Sequence, residues 1–269
     1  MKAAAFSYRR AADPGEACAW LAAGQGLAKA VAGGQSLGPM LNLRLAQPSE
    51  LIDLWGIGAL REASESGDSV FLGALVTHAA IEDGRVPDPA GGFLQRVAAR
   101  IAHRGVRNRG TLGGSLAHAD PAADWVSTMR LLDATFLIHG PEGRREVASG
   151  EFMRAAFTTA LGDADVLLGV RVPRFSLSAR FGWFKFCRKV GDFAEAIGGV
   201  AVDPARGIRR AVIGATAGAP RLVADVAAVL AGDPAAIEAE VLAAGCDDPC
   251  EFQLHAAALR RAVAEVSAG

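Results

Sequence analysis

A short apolar strand that runs straight into paired glycines limits this chain more than any other feature. Lys29-Ala30-Val31-Ala32 reads as β-structure and stops in Gly33-Gly34-Gln35-Ser36. Glycines directly after a strand permit positive φ and a close approach of the backbone to whatever the turn meets. A second glycine pair lies far downstream, in Thr111-Leu112-Gly113-Gly114-Ser115. Each segment offers consecutive N–H groups with no Cβ in the way and a hydroxyl alongside, a combination suited to phosphate. One Gly-Gly turn alone is most simply a turn; two of this kind point to loops that clamp one pyrophosphate from two sides. Neither Gly-x-Gly-x-x-Gly after a first strand nor Gly-x-x-x-x-Gly-Lys-Ser/Thr occurs. The diphosphate is therefore expected on loop amides, not on the first helix of a βαβ unit.

The rest of the sequence supplies an α+β frame. Asp13-Pro14-Gly15-Glu16 has the capping carboxylate and first-turn proline of a helix that passes Trp20-Leu21 and ends near Gly24 or Gly26. Residues 51–54 and 70–72 read as strands, a helix begins after Thr77, and residues 94–101 form another. Residues 104–124, glycine-rich and without a period, read as one long functional loop. A helix is expected over 125–132, a hairpin over 135–138 and 144–147 across Pro141-Glu142-Gly143, and a strand over 166–172 ending at Pro173. Beyond it, 181–188, 196–202 and 211–217 read as three strands, and 222–230, 234–243 and 253–266 as three helices. The expected division is a domain over 1–175, with sublobes of about 1–56 and 57–175, and a C-terminal α+β domain over 176–269.

Composition removes several alternatives. The 269 residues carry a formal net charge of −1, which argues against nucleic acid as the partner. The first twenty residues lack the apolar core of a signal peptide, and no window approaches eighteen uninterrupted apolar residues. A cytoplasmic protein without a membrane span is expected. The four cysteines are Cys18, Cys187, Cys246 and Cys250, and only the last two are close in sequence. An iron–sulfur cluster normally takes four thiolates, so these read as ordinary buried or surface thiols.

Ala32-Gly33-Gly34-Gln35-Ser36-Leu37 with Pro39, and Thr111-Leu112-Gly113-Gly114-Ser115 continuing to Ala119-Asp120-Pro121-Ala122-Ala123-Asp124, resemble the two FAD loops of the molybdenum hydroxylase flavoproteins. These are the medium subunits of carbon monoxide dehydrogenase and xanthine dehydrogenase-type enzymes, built on a two-lobed vanillyl-alcohol-oxidase-like fold. Val170-Arg171-Val172-Pro173, Phe184-Lys185-Phe186 and Arg188-Lys189-Val190-Gly191-Asp192-Phe193-Ala194 are similar to that family's C-terminal domain, a three-stranded antiparallel sheet with three helices.

The resemblance implies non-covalent FAD. Ala32 to Leu37 would wrap its pyrophosphate, with Ser36 donating; Thr111, Gly113, Gly114 and Ser115 would contact the opposite side. Asp124 would bond the ribityl or ribose hydroxyls. Thr77 matches a position whose backbone approaches the flavin, Ile101 and Leu167 match apolar lining positions, and Lys185 matches a lysine of the cofactor site. Ser115 stands where Asn or Asp is commoner, and Phe193 where Tyr or Trp is often found. The implied role is electron transfer from a small [2Fe–2S] iron–sulfur subunit to an external acceptor. Molybdopterin is implied on a large catalytic subunit, and the assembly would be a dimer of heterotrimers, a heterohexamer.

Plainer readings stand beside these. A lysine within a strand usually points to solvent by alternation, and Asp124 could cap the following helix. His103 and His118 receive no role. Arg104, Arg107 and Arg109 suit phosphate, a partner surface or a solvated loop equally. A self-contained flavin oxidase of the same fold is the main alternative, but the position at which many such enzymes attach FAD through histidine is Gln35, and only about ninety residues follow Pro173. A cofactor-free scaffold requires both glycine loops to be structural coincidences.

Overall fold

The computed structural model describes residues 2–268. The first layer holds β1 (Ser7–Arg10), α1 (Pro14–Ala23), β2 (Ala28–Val31), α2 (Leu37–Asn42) and β3 (Glu50–Asp53). Asp13 caps α1 as expected, its carboxylate accepting from Glu16 N–H at 2.9 Å. The three strands are parallel in the order β1-β3-β2, with Arg10, Asp53 and Val31 level at their carboxyl ends. Cys18 and Leu21 of α1 pack with Ile52, Leu75 and Leu168 beneath this sheet.

A five-stranded antiparallel sheet follows, in the order β4-β5-β10-β6-β7. Its strands are β4 (Ala63–Ser66), β5 (Ser69–Gly73), β6 (Thr135–Gly140), β7 (Gly143–Ala148) and β10 (Val166–Pro173), with the two-stranded ribbon β8 (Met153–Ala155) and β9 (Thr158–Thr159) between the last two. Helices α3 (His78–Glu82), α4 (Phe93–Ala99), α5 (Arg104–Arg107), α6 (Leu112–His118), α7 (Asp124–Leu131) and α8 (Ser149–Phe152) complete this part. The expected loop over 104–124 is thus largely helical. Thr111 caps α6 by accepting from Gly114 N–H, and Gly113 is needed because a Cβ there would lie 2.4 Å from Ala74 Cβ. Glycine here serves close packing rather than an open loop.

The C-terminal sheet is antiparallel, in the order β11 (Arg180–Phe186), β12 (Ala196–Asp203), β13 (Ile208–Gly214), β14 (Arg221–Leu222). The two-residue β14 extends the expected three strands, so the first of the three helices, α9 (Val226–Leu230), starts four residues late, after its Asp225 cap. With α10 (Pro234–Ala243) and α11 (Pro249–Ser267), α9 covers one sheet face through Val200, Ala211 and Ile213. The other face, with Trp183, Ile197 and Val212, joins the core built around Trp125 and Phe93. No helix among the described residues is long and apolar enough to cross a membrane.

Candidate functional site

The two glycine loops meet. A Cβ on Gly33 would sit 2.1 Å from the Arg109 carbonyl oxygen and 2.9 Å from Gly110 Cα, and one on Gly114 would sit 3.4 Å from Ala32 Cβ. Only glycine permits the first contact. Gly34 has φ +70°, a left-handed conformation that turns the chain out of β2. From Gly33 to Leu37, no backbone N–H donates to an acceptor among the described residues, and the Ser36 hydroxyl makes no cap bond. Buried or half-buried donors without partners are uncommon and call for one. Gln35 is exposed, with its amide donating to Gly33 O at 3.2 Å.

The second loop is organised differently from the sequence expectation of consecutive free amides. Leu112 N–H donates to Val76 O, Gly113 N–H to Ala74 O, Gly114 N–H to the Thr111 hydroxyl and Ser115 N–H to Thr111 O. These four amides are spent on placing the loop. What stays open is the half-buried Ser115 hydroxyl and the Thr111 N–H, neither with a partner among the described residues. Thr111 faces Thr77 in an isolated antiparallel bridge, and the Thr77 N–H is likewise uncommitted. The Thr77 hydroxyl caps α3, accepting from Ala80 N–H at 3.1 Å.

Asp124 and Lys185 form a buried ion pair. Lys185 Nζ donates to Asp124 Oδ2 at 2.8 Å and lies 3.4 Å from Arg100 O, next to the half-buried Ile101. Asp124 Oδ1 has no partner. Burial pushes the Asp124 carboxyl up from its ordinary value, against the opposing pull of the Lys185 ammonium. Asp124 is the first residue of α7 and makes no cap bond, so the capping reading does not hold. Nor does Lys185 reach solvent: alternation puts it on the face it shares with Trp183, and that face packs against the first part of the chain. The turn at Ile101 is fixed by Arg107, which donates to Ile101 O and Ala102 O and pairs with Glu82. Arg104 is bound to Glu82 and Asp83. Leu167 is 5% exposed and paired with Ile138 inside the core, so it does not face open space. Phe193 is exposed on the loop after β11.

A cleft of about 420 Å³ opens beside the first loop at the carboxyl ends of the parallel strands. Trp55 forms one wall, its indole N–H donating to Ala32 O at 2.8 Å, and the Arg109 guanidinium lies 5.6 Å from the ring centroid. Arg61, Arg10, Tyr8 and Asp53 complete it. Burial disfavours the charged Asp53, but the Tyr8 phenol, the Trp55 N–H and Arg10 outweigh it and hold the carboxyl below its usual value. Guanidinium and indole together suit an anionic aromatic ligand. Tyr8 and Arg10 escaped the sequence reading because β1, which carries both, is exposed along its whole length and shows no apolar pattern.

Unpartnered amides on one loop and the free hydroxyls of Ser36 and Ser115 fit a ligand bearing phosphate. The family model for the FAD-binding domain in molybdopterin dehydrogenases matches residues 4–175. The chain belongs to this family. As a molybdopterin dehydrogenase flavoprotein it carries an FAD-binding domain and is an oxidoreductase subunit. It is 32% identical to the carbon monoxide dehydrogenase medium chain of Afipia carboxidovorans, over 98% of this chain and 97% of the relative. The corresponding medium chain of Hydrogenophaga pseudoflava is 37% identical over 71% of this chain and 67% of its own length. Carbon monoxide dehydrogenase from Hydrogenophaga pseudoflava lacking the Mo-pyranopterin moiety superposes with a TM-score of 0.91 at 30% identity, covering 100% of this chain and 99% of that one. Quinoline 2-oxidoreductase from Pseudomonas putida 86 gives a TM-score of 0.85 at 30% identity, with the same coverage. The mixed helix-and-sheet architecture of this flavoprotein is that of the carbon monoxide dehydrogenase medium chain.

Proposed function

We propose that this chain is the electron-transfer subunit of a molybdenum-containing hydroxylase, holding FAD without a covalent bond. The observation that carries the reading is the run of uncommitted amides from Gly33 to Leu37, seated against Arg109 and Gly110 of the second loop. In this reading those amides and the Ser36 hydroxyl hold the pyrophosphate, and Ser115 donates from the other side. Thr77 presents backbone N–H toward the flavin, Ile101 lines it, and the free oxygen of Asp124 accepts from cofactor hydroxyls while Lys185 holds the carboxylate in place. Gln35 offers no nucleophile for covalent attachment. Bound FAD supplies the means to take electrons singly and pass them on as a pair.

In this reading the chain's own residues bind and orient the cofactor. Substrate hydroxylation falls to a large molybdopterin subunit, and a small [2Fe–2S] subunit delivers the electrons. The expected working division of the chain is a cofactor domain over 1–175, with sublobes of about 1–56 and 57–175, and a C-terminal domain over 176–269. The expected assembly is a dimer of heterotrimers in the cytoplasm. Native purification tests the reading: one small iron–sulfur chain and one large molybdopterin chain should accompany this one, and the isolated chain should hydroxylate nothing. Turnover by the isolated chain, or its purification alone from its native cell, contradicts the division of labour.

A further inference from the structure

We propose that His78 is a positioning residue that sets the FAD site by tying three separate segments of it together. The proposal rests on the FAD reading above and deepens it. His78 is buried, 5% exposed. Its Nδ1 accepts from Trp125 Nε1–H at 3.0 Å, which fixes the ring as a neutral imidazole protonated on Nε2. Its backbone N–H donates to Gly110 O at 3.0 Å. The same ring packs against Gly110 so closely that a Cβ there would lie 2.8 Å from His78 Cδ2 and 2.9 Å from Nε2.

Each of these three residues is the immediate neighbour of a site residue. His78 follows Thr77, Gly110 precedes Thr111, and Trp125 follows Asp124. Thr77 and Thr111 hold uncommitted N–H groups, and Asp124 an orphaned carboxylate oxygen. One ring therefore registers the bridge between Thr77 and Thr111 against the start of α7. It does so from within the core, where no water can replace a lost partner. Burial and the Arg107 guanidinium nearby push its pKa down to about 4, which keeps Nδ1 an acceptor at neutral pH.

The test compares His78→Asn, His78→Leu and Trp125→Phe in the full chain, measuring FAD dissociation constants alongside far-ultraviolet circular dichroism. The asparagine carbonyl can stand where Nδ1 accepts; leucine cannot. We expect His78→Leu and Trp125→Phe each to bind FAD at least about tenfold more weakly while staying folded. His78→Asn should stay within about threefold of the unsubstituted chain, and the double variant His78→Leu/Trp125→Phe should bind no more weakly than the worse single one, since both remove the same bond. A merely structural loss would not be rescued by asparagine. Should His78→Leu fail to fold, Trp125→Phe and His78→Asn carry the comparison. If the unsubstituted chain binds FAD and neither Trp125→Phe nor His78→Leu weakens it, or if asparagine fares as badly as leucine, the positioning role is overturned. If the unsubstituted chain binds no FAD, it is the FAD reading that fails.

Discussion

Lys185, from the C-terminal sheet, and Asp124, from the first turn of α7, form an ion pair of 2.8 Å with side chains only 2% and 4% exposed. The pair crosses from the C-terminal sheet to the helix that follows the second glycine loop, so in the FAD reading proposed above the cofactor site and the docking of the C-terminal sheet share one contact. A buried pair is a poor source of net stability, because desolvating two charges offsets their attraction. Its cost is better understood as keeping one carboxylate oxygen fixed and the other free.

Removing one partner should be far worse than removing both. Asp124→Ala leaves an ammonium buried without a counter-charge and should lower the unfolding free energy by about 3–5 kcal/mol, measured by urea denaturation. Asp124→Leu/Lys185→Met should recover most of that stability and still lose FAD affinity. Equal damage from the single and double variants would mean the pair is not isolated from water.

Gly33→Val should part the loops. Its Cβ would lie 2.1 Å from a backbone oxygen that no rotamer can move. Flavin content should fall at least about tenfold, with the core helices intact by circular dichroism, since the contact lies outside the main apolar clusters. Normal flavin content in this variant would show that the loop contact is dispensable.

Stability should fall with acid through His78. Its pKa is about 4 in the folded chain against an ordinary 6.5. The unfolded chain therefore binds the proton first, and the contribution of the neutral ring is complete above pH 6.5. It is lost progressively as the pH falls toward 4, amounting to on the order of 3 kcal/mol. Arg107, paired with Glu82, is the nearby cation that adds to the effect of burial. Unfolding free energies at pH 7 and pH 4 should differ by about that much less in His78→Asn than in the unsubstituted chain. An unchanged difference would remove His78 from the acid sensitivity.

The elements with strong local signals were legible in the sequence. Asp13 and Pro14 mark the start of α1, Pro141-Glu142-Gly143 marks the hairpin, and Pro173 closes β10. Strands without an apolar face were not: Ser7–Arg10 is exposed throughout and is held in the sheet by parallel pairing with Glu50–Asp53. The helix over Leu112–His118 was hidden by its own glycines, of which Gly113 is there because Ala74 leaves no room for a side chain and Gly114 because it sits against the Thr111 hydroxyl. At the site, Gly33 could be read as a point of close backbone approach because only glycine allows one, whereas the second pair could not be read as free amides, since Ala74, Val76 and Thr111 accept from that loop. The ring of His78 could not be read either, because its meaning comes from Trp125 and Gly110, brought to it only by folding. Lys185 misleads for a related reason, since alternation predicts solvent unless both faces of the sheet are covered.

Flavin stoichiometry is the most direct measurement. The purified full chain, reconstituted with FAD and freed of excess, should hold about one FAD per chain and release it all to the supernatant on acid precipitation. A colourless protein after reconstitution, or yellow colour that stays in the pellet, would contradict a non-covalent FAD held on the Gly33–Leu37 amides.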